Sequence, residues 1–431
     1  MRQKFFKFLS LTIITSLFIN SFVIVDGMFI GAKLGDVGLS AINLSWPITA
    51  FLQSFGIALG ISAGIYISRL KGLGKDLEAS NSKSGILILI FLTSVILGLL
   101  FFILAKPLLI LFGATNETLE YSLDYIRIIL LGAPFELLGM SLPQLLKNSD
   151  KIKTATIASI AEILINLLLD YIFIIVLNYD LWGAALASII SLFGATIICF
   201  IFYFKELKKP IINKKIIKNL YLASISPFIL NYSYAFILII TNYLCIKFGG
   251  DEAVAAYTLL SYLLYVIAGT AQAAGDAIQP LFSFNSTNKD FKINHQMLNG
   301  CLLFSFILCG IFVSLFYLFK TNLEDLYNLS AKARIYYNDG LIYYLIGFLL
   351  TALIKPICSY LYSVGDRLRS NLLTILEPLI LTPLFYLILC PGLKLNGLWM
   401  TYLFAQIGVL IASTFFIIRN IKKEESLWME S

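Results

Sequence analysis

Gly85-Ile-Leu-Ile-Leu-Ile-Phe-Leu-Thr-Ser-Val-Ile-Leu-Gly-Leu-Leu-Phe-Phe-Ile-Leu-Ala105 runs for 21 residues without a charge. A helix rises about 1.5 Å per residue, so about 20 apolar residues cross a ~30 Å hydrocarbon layer. The run does not alternate, as a strand of a membrane β-barrel would. Working outward from it (the span 85–112), comparable segments occur at 8–30, 39–68, 121–146, 154–177, 182–204, 219–246, 253–281, 297–319, 335–362, 371–390 and 396–418. They predict an all-α polytopic membrane protein with 12 transmembrane helices. Several segments exceed about 25 residues, so tilts or kinks are expected.

Composition narrows the function. Of 431 residues 59% are apolar and 13% charged, against roughly 25% charged in an ordinary soluble domain. Mean hydropathy is +0.87. No segment is long and polar enough for a soluble domain. One histidine, His295, excludes His-rich metal sites and most Ser/His/Asp schemes. No phosphate-binding glycine loop or zinc motif occurs, so an enzyme is not expected and no cofactor is called for. Cys199, Cys245, Cys301, Cys309, Cys358 and Cys390 are scattered and read as small packing residues. The start, Met1-Arg-Gln-Lys-Phe-Phe-Lys7 before an apolar run, is charged like a signal peptide. The run is long and lacks a small-x-small cleavage site, so it reads as a retained first span.

The net charge of +7 reflects loop bias more simply than nucleic-acid binding. With the first residues inside, 23 Lys and Arg fall on the inner side and 7 on the outer. That asymmetry predicts both termini in the cytoplasm of a plasma (cell inner) membrane. The chain also repeats itself. Lys33-Leu-Gly35-Asp-Val-Gly-Leu-Ser-Ala41 aligns with Lys247-Phe-Gly249-Gly-Asp-Glu-Ala-Val-Ala255, and Asn148-Ser-Asp150-Lys-Ile-Lys153 with Val364-Gly-Asp366-Arg-Leu-Arg369. The repeat predicts two pseudo-symmetric six-helix lobes, 1–204 and 219–431, joined by a cytoplasmic linker at 205–218. Such pairs suit rocking-type alternating access. Gly27/Gly31/Gly35 and Gly56/Gly60/Gly64 are small-residue rows suited to close helix packing.

Charged groups inside spans are costly, about 2.5–3.5 kcal/mol each on insertion scales, and are therefore candidates for function. Asp26 lies about 6 Å from the outer end of the first span, and Asp170 about 10 Å from that of the fifth. Asn166 is one turn deeper on the same face, and Ser188 of the sixth span is at a similar level. Together they offer an oxygen cage for Na⁺ or a proton site; alternatively, Asp26 and Asp170 merely solvate helix ends. Deeper, Glu136 and Glu162 share one level in the first half. Lys355 and Glu377 share the corresponding level in the second and are expected to form a structural ion pair. Glu136 and Glu162 either add negative potential that favours cationic cargo or face separate surroundings. Tyr257, Tyr262 and Tyr265 are candidate cargo contacts, whereas Tyr336, Tyr337, Tyr343 and Tyr344 suit interfacial anchoring. Pro47, Pro134 and Pro356 are hinge candidates.

Val25-Asp26-Gly27-Met-Phe-Ile-Gly31, with Leu34-Gly35 and Leu39-Ser-Ala41, resembles the first-to-second span region of multidrug and toxic compound extrusion (MATE) transporters. Ala277-Ile-Gln-Pro280-Leu-Phe-Ser-Phe-Asn285, Asn166-Leu-Leu-Leu-Asp170 and Gly183-Ala-Ala-Leu-Ala-Ser188 are similar to that family too. The resemblance implies export of small organic, often cationic, molecules in exchange for H⁺ or Na⁺. It places the cation site at Asp26, Asn166, Asp170 and Ser188, the last standing where Thr is common. Some members carry Glu in span seven and Asp in span ten; here span seven has no carboxylate and span ten has Lys355. Coupling through the N-terminal lobe of a monomer in the bilayer is therefore expected. A lipid or lipid-linked oligosaccharide flippase is the alternative, but it would need more basic residues deep in the spans.

Overall fold

The computed structural model describes the backbone of residues 2–72, 74–147, 152–204, 207–287, 291–364 and 366–429. Within these, the side chains of 2–24, 26, 68–69, 71–72, 147, 152, 215, 226, 230, 276, 279–281, 283–287, 367 and 422–429 lie outside the description. Among the described residues thirteen α-helices follow one another: α1 Arg2–Gly72, α2 Asp76–Leu111, α3 Asn116–Leu131, α4 Ala133–Lys147, α5 Ile152–Asp170, α6 Leu181–Phe204, α7 Lys214–Gly249, α8 Asp251–Thr287, α9 Phe291–Leu318, α10 Lys320–Leu326, α11 Ala331–Ser363, α12 Arg367–Leu376 and α13 Thr382–Met429. Short π-helical turns, Tyr171–Val176 and Glu377–Leu381, follow α5 and α12. Among the described residues there is no strand.

Helix breaks turn these elements into crossings. Straight, the 71 residues of α1 would measure about 105 Å, far more than a bilayer. They break at Gly35 (φ 56°, ψ −144°), a left-handed backbone that a residue without Cβ adopts freely. Gly35 is thus a hinge between two crossings, where its place in a row of small residues suggested packing. Lys394 (φ 49°, ψ −123°) breaks α13 in the same way, at a steric cost glycine would avoid. Between α3 and α4 the axis bends by 60° beside Pro134, at the start of α4. Among the described residues nine helices are long and apolar enough to cross a membrane, ten with that bent pair counted as one. Leu368–Ile421 enters that number once although Lys394 divides it. The first crossing lies largely in the undescribed side chains. The protein is an all-α polytopic membrane protein, and with the helix breaks at Gly35 and Lys394 the described helices are consistent with 12 crossings in two lobes.

Two compact units contain these helices, Phe29–Asn242 on one hand and Met1–Met28 with Tyr243–Ser431 on the other. Contacts therefore group the start of α1 with the second half of the chain, and most of α7 with the first. In the first unit α6 packs on α3, α4 and α5, and α2 on α3 and α4. Gly56 and Gly60 bring α1 onto α4 so closely that a Cβ at Gly60 would stand 2.5 Å from the Ser141 carbonyl oxygen. In the second unit α11 packs on α8, α9, α12 and α13. Tyr344 stacks on Tyr402 there, with centroids 4.5 Å apart, and Trp399 is fully buried. Apolar side chains also face outward: Ile103 on α2 is 76% exposed. That is an untenable surface in water and an ordinary one in lipid.

Pro47 shows how a break in the hydrogen-bond ladder is repaired. Proline has no N–H, so the Asn43 carbonyl four residues earlier loses its helical partner. Asn242 of α7 supplies one: its Nδ2 donates to that carbonyl at 3.3 Å, while Asn43 Nδ2 donates to Asn242 Oδ1 at 3.1 Å. Tyr232 donates to the Pro47 carbonyl at 3.2 Å. Around it Phe51 meets Phe101, Phe228 and Tyr232 at centroid distances of 4.9, 5.0 and 5.5 Å. These bonds tie α7 to the second crossing of α1.

Gly60→Ala forces a methyl group against the α4 backbone. It should lower stability by about 1–3 kcal/mol, read as a lower thermal midpoint of the detergent-purified protein. Gly310→Ala, whose added Cβ would meet only Leu349 at 3.9 Å, should leave the midpoint nearly unchanged.

Candidate functional site

Helix α5 carries three polar residues of the first unit on one face. Glu162, Asn166 and Asp170 are four residues apart, so they stack on one side with about 6 Å of rise between neighbours. Asp170, fully buried, ends the α-helix where the π-helical turn begins. π-helical turns often mark functional positions, because the extra residue redirects side chains. Asn166 is 6% exposed, and its Nδ2 makes no hydrogen bond. Ser188 on α6 is half-buried, and its carbonyl accepts the Ser191 hydroxyl at 2.8 Å. Asp26, assigned from sequence to the same layer, lies outside the described side chains.

Glu136 is in the first turn of α4, directly after the 60° bend. That position places a carboxylate near the positive end of the helix dipole. The side chain is 1% exposed. It hydrogen-bonds the Gln53 side chain of α1 and lies within electrostatic range of Glu162. Glu162 in turn lies within range of Cys199 on α6. The fold thus brings Glu136 and Glu162 near each other.

The second unit has its own polar centre. Glu377 is 7% exposed and opens the second π-helical turn. Its Oε1 accepts a hydrogen bond from Gln406 Nε2 at 2.7 Å. Lys355 of α11 is within electrostatic range of Glu377 and of Cys358. One turn along α11, Ser359 Oγ accepts a bond from Gln272 Nε2 at 3.0 Å. Pro356 is buried beside Lys355.

The tyrosine candidates separate. Tyr257 is 5% exposed and packs near Trp399, at 6.4 Å between centroids. Tyr262 lies under Gly27, where an added Cβ would collide with its ring, and near Tyr327 at 6.1 Å. Tyr265 is 49% exposed. Tyr337 and Tyr344, which sequence alone suggested as interfacial anchors, are buried inside the protein. Among the described residues no three His, Cys, Asp or Glu converge as a metal site. Sequence reasoning passed over Gln53, Gln272, Gln406 and the Asn43–Asn242 pair. Each is an amide within an apolar span, so the same desolvation argument that marked the acids could have found them.

The chain matches the MatE family model twice, over residues 12–172 and 227–387. It is 25% identical to the multidrug export protein MepA of Staphylococcus aureus (strain MSSA476) over 384 residues, 84% of this chain and 82% of that protein. With MepA of strain MRSA252 the identity is 28% over 275 residues, spanning 61% of this chain and 59% of the relative's length. Among solved structures, an inward-facing multidrug resistance MATE family transporter of the MOP superfamily superposes with a TM-score of 0.83 at 19% identity, covering 96% of this chain and 99% of the other. The MATE multidrug transporter DinF-BH gives 0.74 at 24% identity, covering 96% and 95%.

If Lys355 and Glu377 form an ion pair, Glu377→Leu should strand a buried ammonium and cost about 3–5 kcal/mol. Adding Lys355→Met should recover most of that loss in denaturant unfolding of the purified protein. A double variant no more stable than Glu377→Leu alone would remove the pairing.

Proposed function

The chain belongs to the MatE family, and on that premise we propose that it is a secondary antiporter exporting small organic, cationic compounds in exchange for H⁺ or Na⁺. The observation that carries the reading is the fully buried Asp170, one helical turn from the buried Asn166 on α5. A carboxylate in that setting is retained at a cost, which a coupling role explains. The donors that the first unit offers there are all hard oxygen: the Asp170 carboxylate, the Asn166 amide oxygen and the Ser188 hydroxyl; Asp26 is the fourth candidate from the sequence alone. Such donors suit Na⁺ and protons and disfavour soft metals. The relatives' activity, multidrug export, supports the cargo class.

The mechanism follows from differential binding. An ion entering from outside binds at Asp170 and lowers the negative charge buried there. The ion drives transport to the extent that it binds the two conformers unequally. Breaks at Gly35 and beside Pro47 and Pro134 give the helices places to bend. Glu136 and Glu162 lend negative potential that favours a cation. The excess of inner basic residues supports a plasma-membrane protein with both termini in the cytoplasm.

Asp170→Asn and Asp26→Asn should each lower gradient-driven efflux of a cationic dye at least tenfold, with the protein still inserted in the membrane. Proteoliposomes with an imposed pH gradient, and separately with an imposed Na⁺ gradient, identify the ion. Full efflux in either variant rejects the coupling assignment.

A further inference from the structure

The two halves treat their deepest polar layer differently. Residues 12 and 227, where the two family matches begin, are 215 apart, as are Glu162 and Glu377. Lys355 and Glu136 are 219 apart, one helical turn more, and so are Gln272 and Gln53. Each half therefore holds a glutamine on its second span, an ionisable residue on its fourth and a glutamate on its fifth. In the second half the set is Gln272, Lys355 and Glu377, which carries its own ammonium ion. In the first it is Gln53, Glu136 and Glu162, where a second carboxylate stands at the level of that ammonium.

Glu136 has an unmet need that the second half lacks. One of its oxygens is satisfied by Gln53, yet Oε2 is buried and makes no hydrogen bond. Asn166, one turn from Glu162 on α5, presents a second buried polar atom without a partner, its Nδ2. A buried carboxylate oxygen without a hydrogen bond, on a side chain within electrostatic range of a second carboxylate, calls for a positive group. Helix α4 packs on α2, α3, α5 and α6. Among the described residues, Gln53 and Glu162 are the polar groups acting on Glu136, and Cys199 is a further titratable neighbour of Glu162.

We propose that Gln53, Glu136 and Glu162 form a second cation site, distinct from the Asp170 layer, in which a free small monovalent cation occupies the place that the Lys355 ammonium fills in the other half. The ligands are the oxygens of two carboxylates and one amide, a set that accepts Na⁺ or a proton shared between the carboxyls. The site lies two turns of α5 from Asp170, with Asn166 between them. Filling it with one monovalent cation relieves half of the like charge of the two carboxylates, from −2 to −1.

The test uses the full-length protein in detergent and its thermal midpoint, because a cation bound only by the folded state raises that midpoint. The background is Asp170→Asn, so the layer of the proposed function does not contribute. One arm replaces choline by Na⁺ at pH 8; the other lowers pH from 8 to 6 without Na⁺. The expected result is a rise in one arm, which identifies the ion. Adding Glu136→Gln should weaken the response at least tenfold in the cation concentration that gives half the shift. Glu136→Lys, which imports the arrangement of the second half, should fold with a midpoint no lower than the background and ignore the cation. A response absent from Asp170→Asn, or unchanged by Glu136→Gln, overturns the proposal. Neither result bears on whether Asp170 couples transport, which the efflux assay decides.

Discussion

A polar group inside hydrocarbon has no water to bond, and this one constraint organises the protein. It makes the crossings helical, because only a helix satisfies its own backbone. It also makes every interruption of a helix conspicuous. Pro47 removes a donor, and the stranded Asn43 carbonyl is met by Asn242 from α7. Such a bond does more than repair: it fixes which helix lies beside the break. That is one physical reason why most of α7 clusters with residues 29–204.

Breaks and buried ionisable groups occur together. Glu136 begins the helix after the 60° bend, Asp170 ends α5 at a π-helical turn, and Glu377 opens the other such turn. At such places the backbone frees carbonyls or N–H groups that a charged side chain or an ion can use. Rigid elements elsewhere hold these places in register. Gly56 and Gly60 allow α1 to rest on the α4 backbone, and the stacked Tyr344 and Tyr402 fill the interior of the second unit.

Duplication gave both halves the same scaffold, and their chemistry has diverged on it. The second half sets Lys355 within electrostatic range of Glu377 at its deep layer. The first half pairs like charges there and adds Asp170 above. Its polar face along α5 carries Glu162, Asn166 and Asp170, while Glu377 in the second half accepts a hydrogen bond from Gln406.

Much was legible in the sequence because the bilayer sets a length scale. Uncharged runs such as 85–105 fixed helical crossings, and the basic bias of loops suggested their orientation. Asn166 and Asp170 were legible as a pair, since spacing of four on a helix means one face. Glu136 and Glu162 could be placed at one level by counting residues from the turn between their spans. Tertiary structure decided what no spacing records. It revealed Gln53 as the partner of Glu136, Gln406 as the donor to Glu377, and Asn242 as the answer to Pro47. It also turned Tyr337 and Tyr344 from expected surface anchors into core, and Gly35 from a packing residue into a hinge. Hydropathy tells how deep a side chain lies, but which neighbour it meets depends on rotation about the helix axis and on contacts between residues far apart in the chain.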